Sequence, residues 1–379
     1  MKKYFVKASV LCLVLLMIFS LVSCDMFDDL FGGGDQGAVS PSGGADIPEA
    51  GKLKDNVLVE GDLTIHFLEL GNKYTGDCTY IKAGEVDILI DAGSKVSSVD
   101  TIHSYISRYV TDNKLEYVVV THAHEDHYAG FATTEKRTSL FDLYECGTII
   151  DFAQVTKGKE DTAMYKNYVR ELNDEVKAGA THYTAAEFVK QGGVADLGDG
   201  MTMTILDSYF YYNRSSDENN HSVCTLISDG DNNYLFTGDL ELEGEEKLVE
   251  MNKLPEVKVF KAGHHGSKTS SNDVLLSVIK PQIVCVCCCA GSPQYTTTDE
   301  NQFPTQQFIN RIAPYTDKVY VTTLCENYED GKFKSMNGNI VICSQDGEVT
   351  VICSASTDIL KEFKWFKDHR ILPKAWGGE

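Results

Sequence analysis

The sequence is short of positive charge. Its 379 residues contain 34 Lys and Arg against 56 Asp and Glu, which gives a formal net charge of −22 at pH 7. A protein that wraps nucleic acid nonspecifically needs a basic surface, so this balance disfavours that class. Hydrophobic residues make up 42% of the chain, which is enough for a sizeable globular core.

Long apolar runs are scarce as well. One run extends from Ala8 to Val22, behind three lysines near the start of the chain. It is too short for a comfortable membrane span. A charged start followed by a short apolar run is typical of a secretory signal, so we expect the protein to be exported.

The apolar run closes on Leu21-Val22-Ser23-Cys24, which resembles the lipobox of bacterial lipoproteins. In that family the cysteine is lipidated and becomes the first residue of the mature protein. The resemblance implies a lipid anchor on Cys24 at the extracytoplasmic face of a membrane. An uncleaved signal anchor, or ordinary cleavage beside an incidental cysteine, is the alternative.

A second CxxC motif is absent from this chain of twelve cysteines. Cys285 and Cys288 form one such motif within an apolar run that also holds Cys287 and Cys289. Neighbouring positions of a strand face opposite sides, so residues three apart point away from each other. We interpret these cysteines as small core residues, with a thiolate metal cluster as the alternative. A disulfide from Cys343 or Cys353 to another strand stays open.

The chain divides by composition. A Gly-, Ser- and Pro-rich stretch follows Cys24 to about Pro48 and cannot bury enough apolar surface to fold. We predict a lipoprotein signal peptide over residues 1–23 and a lipidated, flexible linker over 24–60. A single catalytic domain is predicted over 61–355, and a short C-terminal tail over 356–379.

From Leu63 onward, short apolar strands alternate with longer amphipathic segments, and no fixed short repeat is visible. This pattern predicts a layered α/β fold with the sheet inside and helices outside. The predicted helices are Val96–Tyr109, Asp161–Lys177, Glu241–Asn252, Asn272–Lys280 and Pro304–Ala313.

The motif with the clearest chemistry is His122-Ala-His124-Glu-Asp126-His127, which follows the buried strand pattern Glu116–Thr121. Polar groups at the end of a strand are a common position for catalysis in α/β folds. Three imidazoles and a carboxylate suit zinc and similar divalent ions. In an extended loop, His122 and His124 can hold one ion while Asp126 and His127 turn toward a second.

This HxHxDH motif resembles the signature of the metallo-β-lactamase superfamily. The resemblance implies a four-layer αββα sandwich and two divalent ions, zinc with manganese or iron as alternatives. It also implies attack by hydroxide generated at the metals, with Asp126 in the catalytic centre. Phe67–Gly71 and Ile88–Gly93 resemble the opening hairpin, whose acidic strand end supports the site.

The resemblance continues downstream. Asp239, at the end of Tyr234-Leu-Phe-Thr-Gly-Asp, is implied to bridge both metals. The turn Gly263-His264-His265-Gly266 should complete the second metal. We favour His265 as the ligand and His264 for substrate contact or proton transfer, without excluding the reverse.

Many members of the superfamily carry another histidine between the first cluster and the bridging aspartate, and no clear motif of that kind occurs here. His182 and His221 fall in this interval, and His221 is the better placed candidate for a metal or substrate contact. Asp217–Val223, Leu235–Asp239 and Ala262–Lys268 together resemble the hydrolase domain of the competence protein ComEC, a branch that also lacks this histidine.

Similarity to the phosphorylcholine esterase domain of a bacterial surface protein points the same way, toward phosphodiester substrates. Lys268 and Lys261 are candidates to steer an anionic group. Tyr211, in the aromatic segment Tyr209–Arg214, is a candidate substrate contact by stacking. Core packing is the ordinary role of such aromatics.

The sequence therefore favours an exported phosphodiesterase that acts on a small-molecule or polymeric substrate, including nucleic acid. Two other functions stay open. One is a lactonase or β-lactamase that attacks an acyl carbon, and the other is a lipid-anchored metal-binding protein without catalysis. No protein partner can be read from the sequence.

Overall fold

The computed structural model describes residues 22–23, 48–54 and 57–379. Most of the predicted signal peptide, the lipidation site Cys24 and most of the predicted linker lie outside the described residues. The strands are β1 (Val22–Ser23), β2 (Gly51–Lys52), β3 (Val59–Glu60), β4 (Leu63–Phe67), β5 (Thr79–Ala83), β6 (Val86–Ile90), β7 (Lys114–Val120), β8 (Glu145–Asp151), β9 (Thr181–Thr184), β10 (Val194–Gly198), β11 (Met201–Ile205), β12 (Thr225–Asp229), β13 (Asn232–Phe236), β14 (Val259–Lys261), β15 (Ile283–Ala290), β16 (Val319–Asn327), β17 (Lys332–Ser335), β18 (Ile340–Gln345) and β19 (Glu348–Cys353).

The helices lie between these strands and flank them. They are α1 (Ser98–Ile106), α2 (Glu125–Tyr128), α3 (Leu140–Leu143), α4 (Ala163–Ala178), α5 (Ala185–Lys190), α6 (Leu242–Met251), α7 (Asp273–Ile279), α8 (Gln306–Ile312) and α9 (Lys364–His369). All five helices predicted from the sequence are present, with ends that differ by one to three residues. Thr162 and Thr305 cap α4 and α8 by accepting a backbone N–H.

Two large sheets form the centre of the molecule. The first sheet has the order β2-β19-β18-β4-β5-β6-β7-β8-β9, and the second has the order β10-β11-β12-β13-β14-β15-β16-β17. Parallel pairing joins β6, β7, β8 and β9 in the first sheet, and β13, β14, β15 and β16 in the second. The carboxyl ends of these parallel strands therefore lie at the same edge of each sheet.

Helices cover the outer face of each sheet. One buried cluster joins side chains of both sheets and of α1, α3, α4 and α5. A second cluster joins the second sheet to α6, α7, α8 and α9. The layers therefore run helix, sheet, sheet, helix, and the predicted four-layer αββα sandwich is confirmed.

Strand β15 shows how the cysteine-rich run is used. Every residue from Ile283 to Ala290 is buried. Cys285 and Cys287 face the cluster between the sheets, whereas Cys288 faces the helices. All four cysteines of the run, and also Cys353, are free thiols. The prediction that they fill the core is confirmed, because all four are buried. Cys285 and Cys288 point to opposite faces of the strand.

Two predicted boundaries need correction. Gly51 and Lys52 pair with β19, and Ala50 and Val59 are buried, so the end of the predicted linker belongs to the domain. The predicted tail 356–379 contains α9 and buries Trp365, Phe366 and Trp376 against the second sheet. These apolar side chains are too few to form a unit of their own and are covered only by packing on the domain.

Among the described residues, no helix combines sufficient length with sufficient apolar character to cross a bilayer.

Candidate metal centre

The candidate centre lies where strands of both sheets end. Asp77 precedes β5, Asp91 follows β6, and the His122–His127 motif follows β7. Asp239 follows β13, and His265 follows β14 in the second sheet. Both sheets therefore contribute polar side chains to one place between them.

Four of these side chains converge. Asp77, His127, Asp239 and His265 each place a donor atom within 4.8 Å of the others, and all four are buried. Asp77 Oδ1, His127 Nε2, Asp239 Oδ1 and His265 Nε2 have no hydrogen-bond partner. Buried polar atoms without partners are costly, and a divalent cation would satisfy all four. The residues present therefore fit a metal site.

His122 and His124 form the other half of the centre. His122 Nε2 lies 3.0 Å from His124 Nδ1 and 4.0 Å from Asp239 Oδ2. The same Asp239 oxygen lies 3.0 Å from His127 Nε2 and 3.3 Å from His265 Nε2. Asp239 therefore faces both His122 and the His127 and His265 pair, and its bridging of two ions stays a prediction.

Supporting hydrogen bonds fix the orientation of two imidazoles. His127 Nδ1 donates to Asp91 Oδ2 at 2.8 Å, and His265 Nδ1 donates to the Cys287 carbonyl at 2.9 Å. Asp91 also accepts from the backbone N–H of Thr121 at 2.8 Å and from its hydroxyl at 2.7 Å. Each bond leaves Nε2 free to face the centre, which is the usual support of a metal-binding histidine.

The electrostatics separate the histidines into two groups. Burial lowers the pKa of His122 and of His124, so both stay neutral and able to coordinate. Burial alone would also lower the pKa of His127, but the Asp239 and Asp91 carboxylates outweigh it and raise the pKa to about 10. Burial would raise the pKa of Asp239, yet His127 and His265 hold it well below its usual range. These carboxylates therefore favour positive charge in the centre.

Lys261 lies under the centre rather than at its mouth. It is 3% exposed, forms an ion pair with Asp77, and places Nζ 3.8 Å from Asp239 Oδ1. Burial would lower the pKa of Lys261, but Asp77 and Asp239 raise it above its ordinary value. The prediction that Lys261 steers a substrate was wrong, because its ammonium group is enclosed and neutralises two carboxylates.

Two glycines allow the backbone of the motif to pack closely. The Asp77 N–H donates to the Asp126 carbonyl at 2.9 Å, and a Cβ added to Gly76 would lie 2.9 Å from that oxygen. A Cβ on Gly93 would lie 1.7 Å from it. No side chain fits at either position, so the three loops can meet only with glycine there.

The two histidines of the turn after β14 lie in different surroundings. His264 and His265 have φ of 46° and 57°, in the left-handed region that non-glycine residues rarely adopt. His265 enters the buried cluster, whereas His264 is 23% exposed, with Nδ1 3.2 Å from Glu241 Oε1. His264 Nε2 lies 3.9 Å from Asp239 Oδ2. This geometry favours His265 as the ligand and His264 for proton transfer.

The two candidates for a third imidazole lie elsewhere. His221 is buried, and its Nε2 accepts the backbone N–H of Ser215 at 2.9 Å. His182 Nε2 bonds to Asp151 Oδ1 at 2.9 Å. Among the described residues neither therefore completes the His122 and His124 pair, and the hypothesis that His221 is a ligand was wrong. Its ring is held by the loop it braces.

Two predicted substrate contacts also need comment. Tyr211 is 1% exposed, and its hydroxyl accepts the backbone N–H of Cys224 at 3.0 Å. The prediction that Tyr211 contacts substrate was wrong, because its ring is enclosed in the core. Lys268 is exposed, and its ammonium donates to Asn301 Oδ1 at 3.1 Å.

Sequence reasoning missed three side chains of the centre: Asp77, Glu241 and Tyr295. Asp77 is separated from the HxHxDH motif by more than forty residues, and its place at a strand start after a glycine was its only signal. Asp126 lies beside Tyr295, whose hydroxyl donates to Oδ2 at 2.5 Å, and His265 Nε2 lies 3.5 Å from the same oxygen. Loop contacts of this kind have no sequence pattern.

Comparison with known proteins adds an independent observation. Residues 71–139, which include Asp77, Asp91 and the HxHxDH motif, match the model of the metallo-β-lactamase superfamily. The chain contains a metallo-β-lactamase superfamily domain. Part of the chain also matches curated competence proteins.

Recombination protein 2 of Haemophilus influenzae is 25% identical over 251 residues, which are 66% of this chain and 26% of that protein. ComE operon protein 3 of Bacillus subtilis is 28% identical over 176 residues, 45% of this chain and 19% of that protein. Competence protein ComA of Neisseria gonorrhoeae is 32% identical over 114 residues, 29% of this chain and 15% of that protein. The chain thus spans about a quarter or less of each relative.

Solved structures resemble the chain more distantly. The metallo-β-lactamase fold protein YhfI from Bacillus subtilis has a TM-score of 0.39 and 12% identity, and the alignment covers 72% of this chain and 99% of YhfI. The diiron β-hydroxylase CmlA from Streptomyces venezuelae has a TM-score of 0.35 and 12% identity over 67% of this chain and 48% of CmlA. The fold assignment rests on the sheet order and layers described above.

Proposed function

We propose that this protein is a metal-dependent phosphodiesterase. The observation that carries the proposal is the set of four buried, unpartnered donor atoms on Asp77, His127, Asp239 and His265. The His122 and His124 pair lies beside this set and shares Asp239 with it. Two neighbouring cation positions that share a carboxylate suit the displacement of one oxygen by another at phosphorus.

The choice of phosphorus over an acyl carbon rests on the His122 and His124 pair. His182 and His221 are engaged elsewhere, so these two imidazoles have no third imidazole among the described residues. A site with fewer protein ligands leaves room for oxygen atoms of a substrate. A phosphodiester has two nonbridging oxygens for this purpose, whereas a lactam or lactone offers one carbonyl oxygen.

Divalent ions bound here would supply a water of lowered pKa and screen the negative charge that develops at phosphorus. The protein's own residues supply the rest. Asp239 faces both halves of the centre, and Lys261 balances the buried carboxylates from below. His264, oriented by Glu241 and partly exposed, is suited to deliver a proton to the leaving oxygen.

We further propose a nucleic acid strand as the substrate class. The relatives named for recombination and competence support this choice. The acidic chain, with a net charge of −22, favours contact limited to a few nucleotides near the centre rather than extended binding. Export and a lipid anchor on Cys24 remain part of the proposal. Loss of lipid labelling in Cys24→Ala would test the anchor.

The hydrolase proposal is tested by metal counting and turnover on the same preparation. The purified full chain should hold about two ions by elemental analysis and should cleave bis(p-nitrophenyl) phosphate but not nitrocefin. His122→Ala should abolish turnover, while His103→Ala, on α1 away from the centre, should not. Turnover of nitrocefin without phosphodiester cleavage would favour the acyl hydrolase. Metal binding without any turnover across ester substrates would favour a noncatalytic role.

A further inference from the structure

The segment between β15 and α8, residues 291–303, is called the mouth loop here. The Gly291 N–H donates to the Phe303 carbonyl at 2.9 Å, so the two ends of the loop meet. Gln294 Oε1 accepts the backbone N–H of Thr75 at 2.9 Å. Thr75 lies two residues before Asp77, so the mouth loop is fastened directly to the segment that enters the metal centre.

Tyr295 on the mouth loop spans from solvent to the centre. The residue is 54% exposed, yet its hydroxyl donates to Asp126 Oδ2 at 2.5 Å. Most of the ring lies in solvent, so burial in the core does not fix the place of its hydroxyl. The position of the hydroxyl therefore calls for an explanation beyond packing.

The ring of Phe303 packs against Tyr295 and against both histidines of the turn after β14. Its ring centroid lies 5.7 Å from that of Tyr295, 5.7 Å from that of His264 and 5.8 Å from that of His265. Aromatic rings at such distances attract each other and restrict rotation. Tyr295 is thus preorganised by contact with the same ring that borders both histidines.

The exposed side of the centre is the side on which Tyr295 lies. Asp77, His122, His127, Asp239 and His265 are at most 3% exposed. His124, Asp126 and His264 are partly exposed, and they form the approach to the buried donors. The Tyr295 hydroxyl, on Asp126, therefore lies on the partly exposed side of the centre.

We propose that Tyr295 is a substrate-binding residue whose hydroxyl donates a hydrogen bond to a nonbridging oxygen of the phosphoryl group. The inference rests on the proposed phosphodiesterase function and names a residue that neither the HxHxDH motif nor the comparisons assign. A phenol hydrogen rotates about its C–O bond, so it can turn from Asp126 to an oxygen bound beside it. The ring is already held beside Phe303, so only the hydroxyl hydrogen has to turn for the donor to face the point where negative charge gathers.

The test compares Tyr295→Phe with the matched variant Tyr209→Phe. Tyr209 is also an exposed tyrosine, at 42%, but it lies next to Lys247 of α6. Three quantities are measured on the full chain: metal content, the dissociation constant of inorganic phosphate by calorimetry, and kcat/KM for bis(p-nitrophenyl) phosphate. Thermal unfolding shows that each variant is folded.

Tyr295→Phe should weaken phosphate binding and lower kcat/KM by about 10- to 100-fold, as expected for a hydrogen bond to a charged group. Its metal content should equal that of wild type, and Tyr209→Phe should behave as wild type. Unchanged phosphate affinity in Tyr295→Phe would overturn the inference. So would a loss of metal, because Tyr295 would then act only by positioning Asp126.

The phosphate measurement separates this inference from the proposed function. If the wild-type protein binds phosphate but cleaves no phosphodiester, the proposed function fails. A Tyr295-dependent phosphate affinity in that case would still support the contact between the phenol and a phosphoryl oxygen.

Discussion

At the scale of single residues, the centre depends on side chains that do not touch the metal position themselves. Asp91 is the clearest case, because it accepts the Nδ1 proton of His127 and two hydrogen bonds from Thr121. Its backbone has φ of 59°, a conformation that asparagine also adopts readily. Replacement by asparagine therefore changes the charge while the backbone can stay in place.

Asp91→Asn should lower metal affinity by about 10- to 100-fold, because the support of a ligand histidine is weakened. Competition with a chromogenic chelator measures the affinity. Asp100→Asn, an exposed substitution on α1, serves as the control. Equal affinities in Asp91→Asn and wild type would show that His127 does not need this carboxylate, or is not a ligand.

Lys261 is a second residue with a testable role. Lys261→Met should lower the stability of the metal-free protein by about 3–5 kcal/mol, because a buried carboxylate loses its partner. Bound metal should recover part of this loss, since a cation would then neutralise Asp77 and Asp239 from the other side. Thermal unfolding with and without metal measures both effects. The same loss in the two states would contradict the account, and Lys280→Met, at an exposed ion pair, should be nearly neutral.

At the scale of structural elements, the loop before β5, the loop after β6 and α2 meet through backbone contacts. Gly93→Ala should separate them, because its Cβ would lie 1.7 Å from the Asp126 carbonyl oxygen. We expect both lower thermal stability and loss of metal binding, measured by unfolding and elemental analysis. Gly230→Asn, in a turn where no atom lies within 4 Å of the added Cβ, should leave metal content unchanged. A Gly93→Ala protein with full metal content would contradict the close approach.

Glu218 joins two other loops. Its carboxylate accepts from the backbone N–H of Ala123 at 3.3 Å and from the N–H and hydroxyl of Thr156, both at 2.8 Å. Burial would raise the pKa of Glu218, but the nearby His221 imidazole and the hydrogen bonds from Thr156 lower it to about 2. A carboxyl whose pKa is lowered on folding stabilises the protein above its unfolded pKa of 4.5 and loses that effect as pH falls toward 2.

Glu218→Gln should therefore destabilise the metal-free protein at pH 7 by roughly 2 kcal/mol, and the difference from wild type should shrink below about pH 4.5. Urea unfolding between pH 7 and pH 3.5 measures this difference. A difference that stays constant over that range would show that ionised Glu218 does not carry the effect.

The elements also show what the sequence could and could not predict. The alternating pattern identified the five longest outer helices and the central strands, because these bury continuous apolar faces. The elements it missed include β9, β10, β17, α5 and α9. Strands β10 and β17 are edge strands, and all but one residue of β17 is exposed. Their pairing depends on neighbours rather than on their own composition.

The residues of the site likewise fall into those that the sequence could predict and those that it could not. The HxHxDH motif, Asp239 and His265 stand out because chemically active residues follow buried strands directly. Asp77, Lys261 and Tyr295 take their roles from contacts across the fold, which local spacing does not record. Tyr211 and His221 were misassigned because their chemistry suits a binding site. In the structure each is buried and accepts a backbone N–H instead.

At the scale of the whole molecule, the centre joins the two halves of the sandwich. Asp77, Asp91 and the HxHxDH motif come from the first sheet, and Asp239 and His265 come from the second. Neither half holds the four-residue cluster alone, so metal binding and the packing of the sheets are linked. The net charge of −22 favours the proposed local recognition of substrate, through the metal centre and the mouth loop, over extended binding.

The most direct test of the central claim is the turnover of bis(p-nitrophenyl) phosphate by metal-loaded wild type and by Asp239→Asn. Asp239 lies within 4.0 Å of His122, His127 and His265, and asparagine removes its charge with little change in shape. The account predicts turnover by wild type and a loss of about 10³-fold or more in the variant. Equal rates in the two proteins, or a wild type that binds two ions and cleaves no phosphodiester, would contradict it.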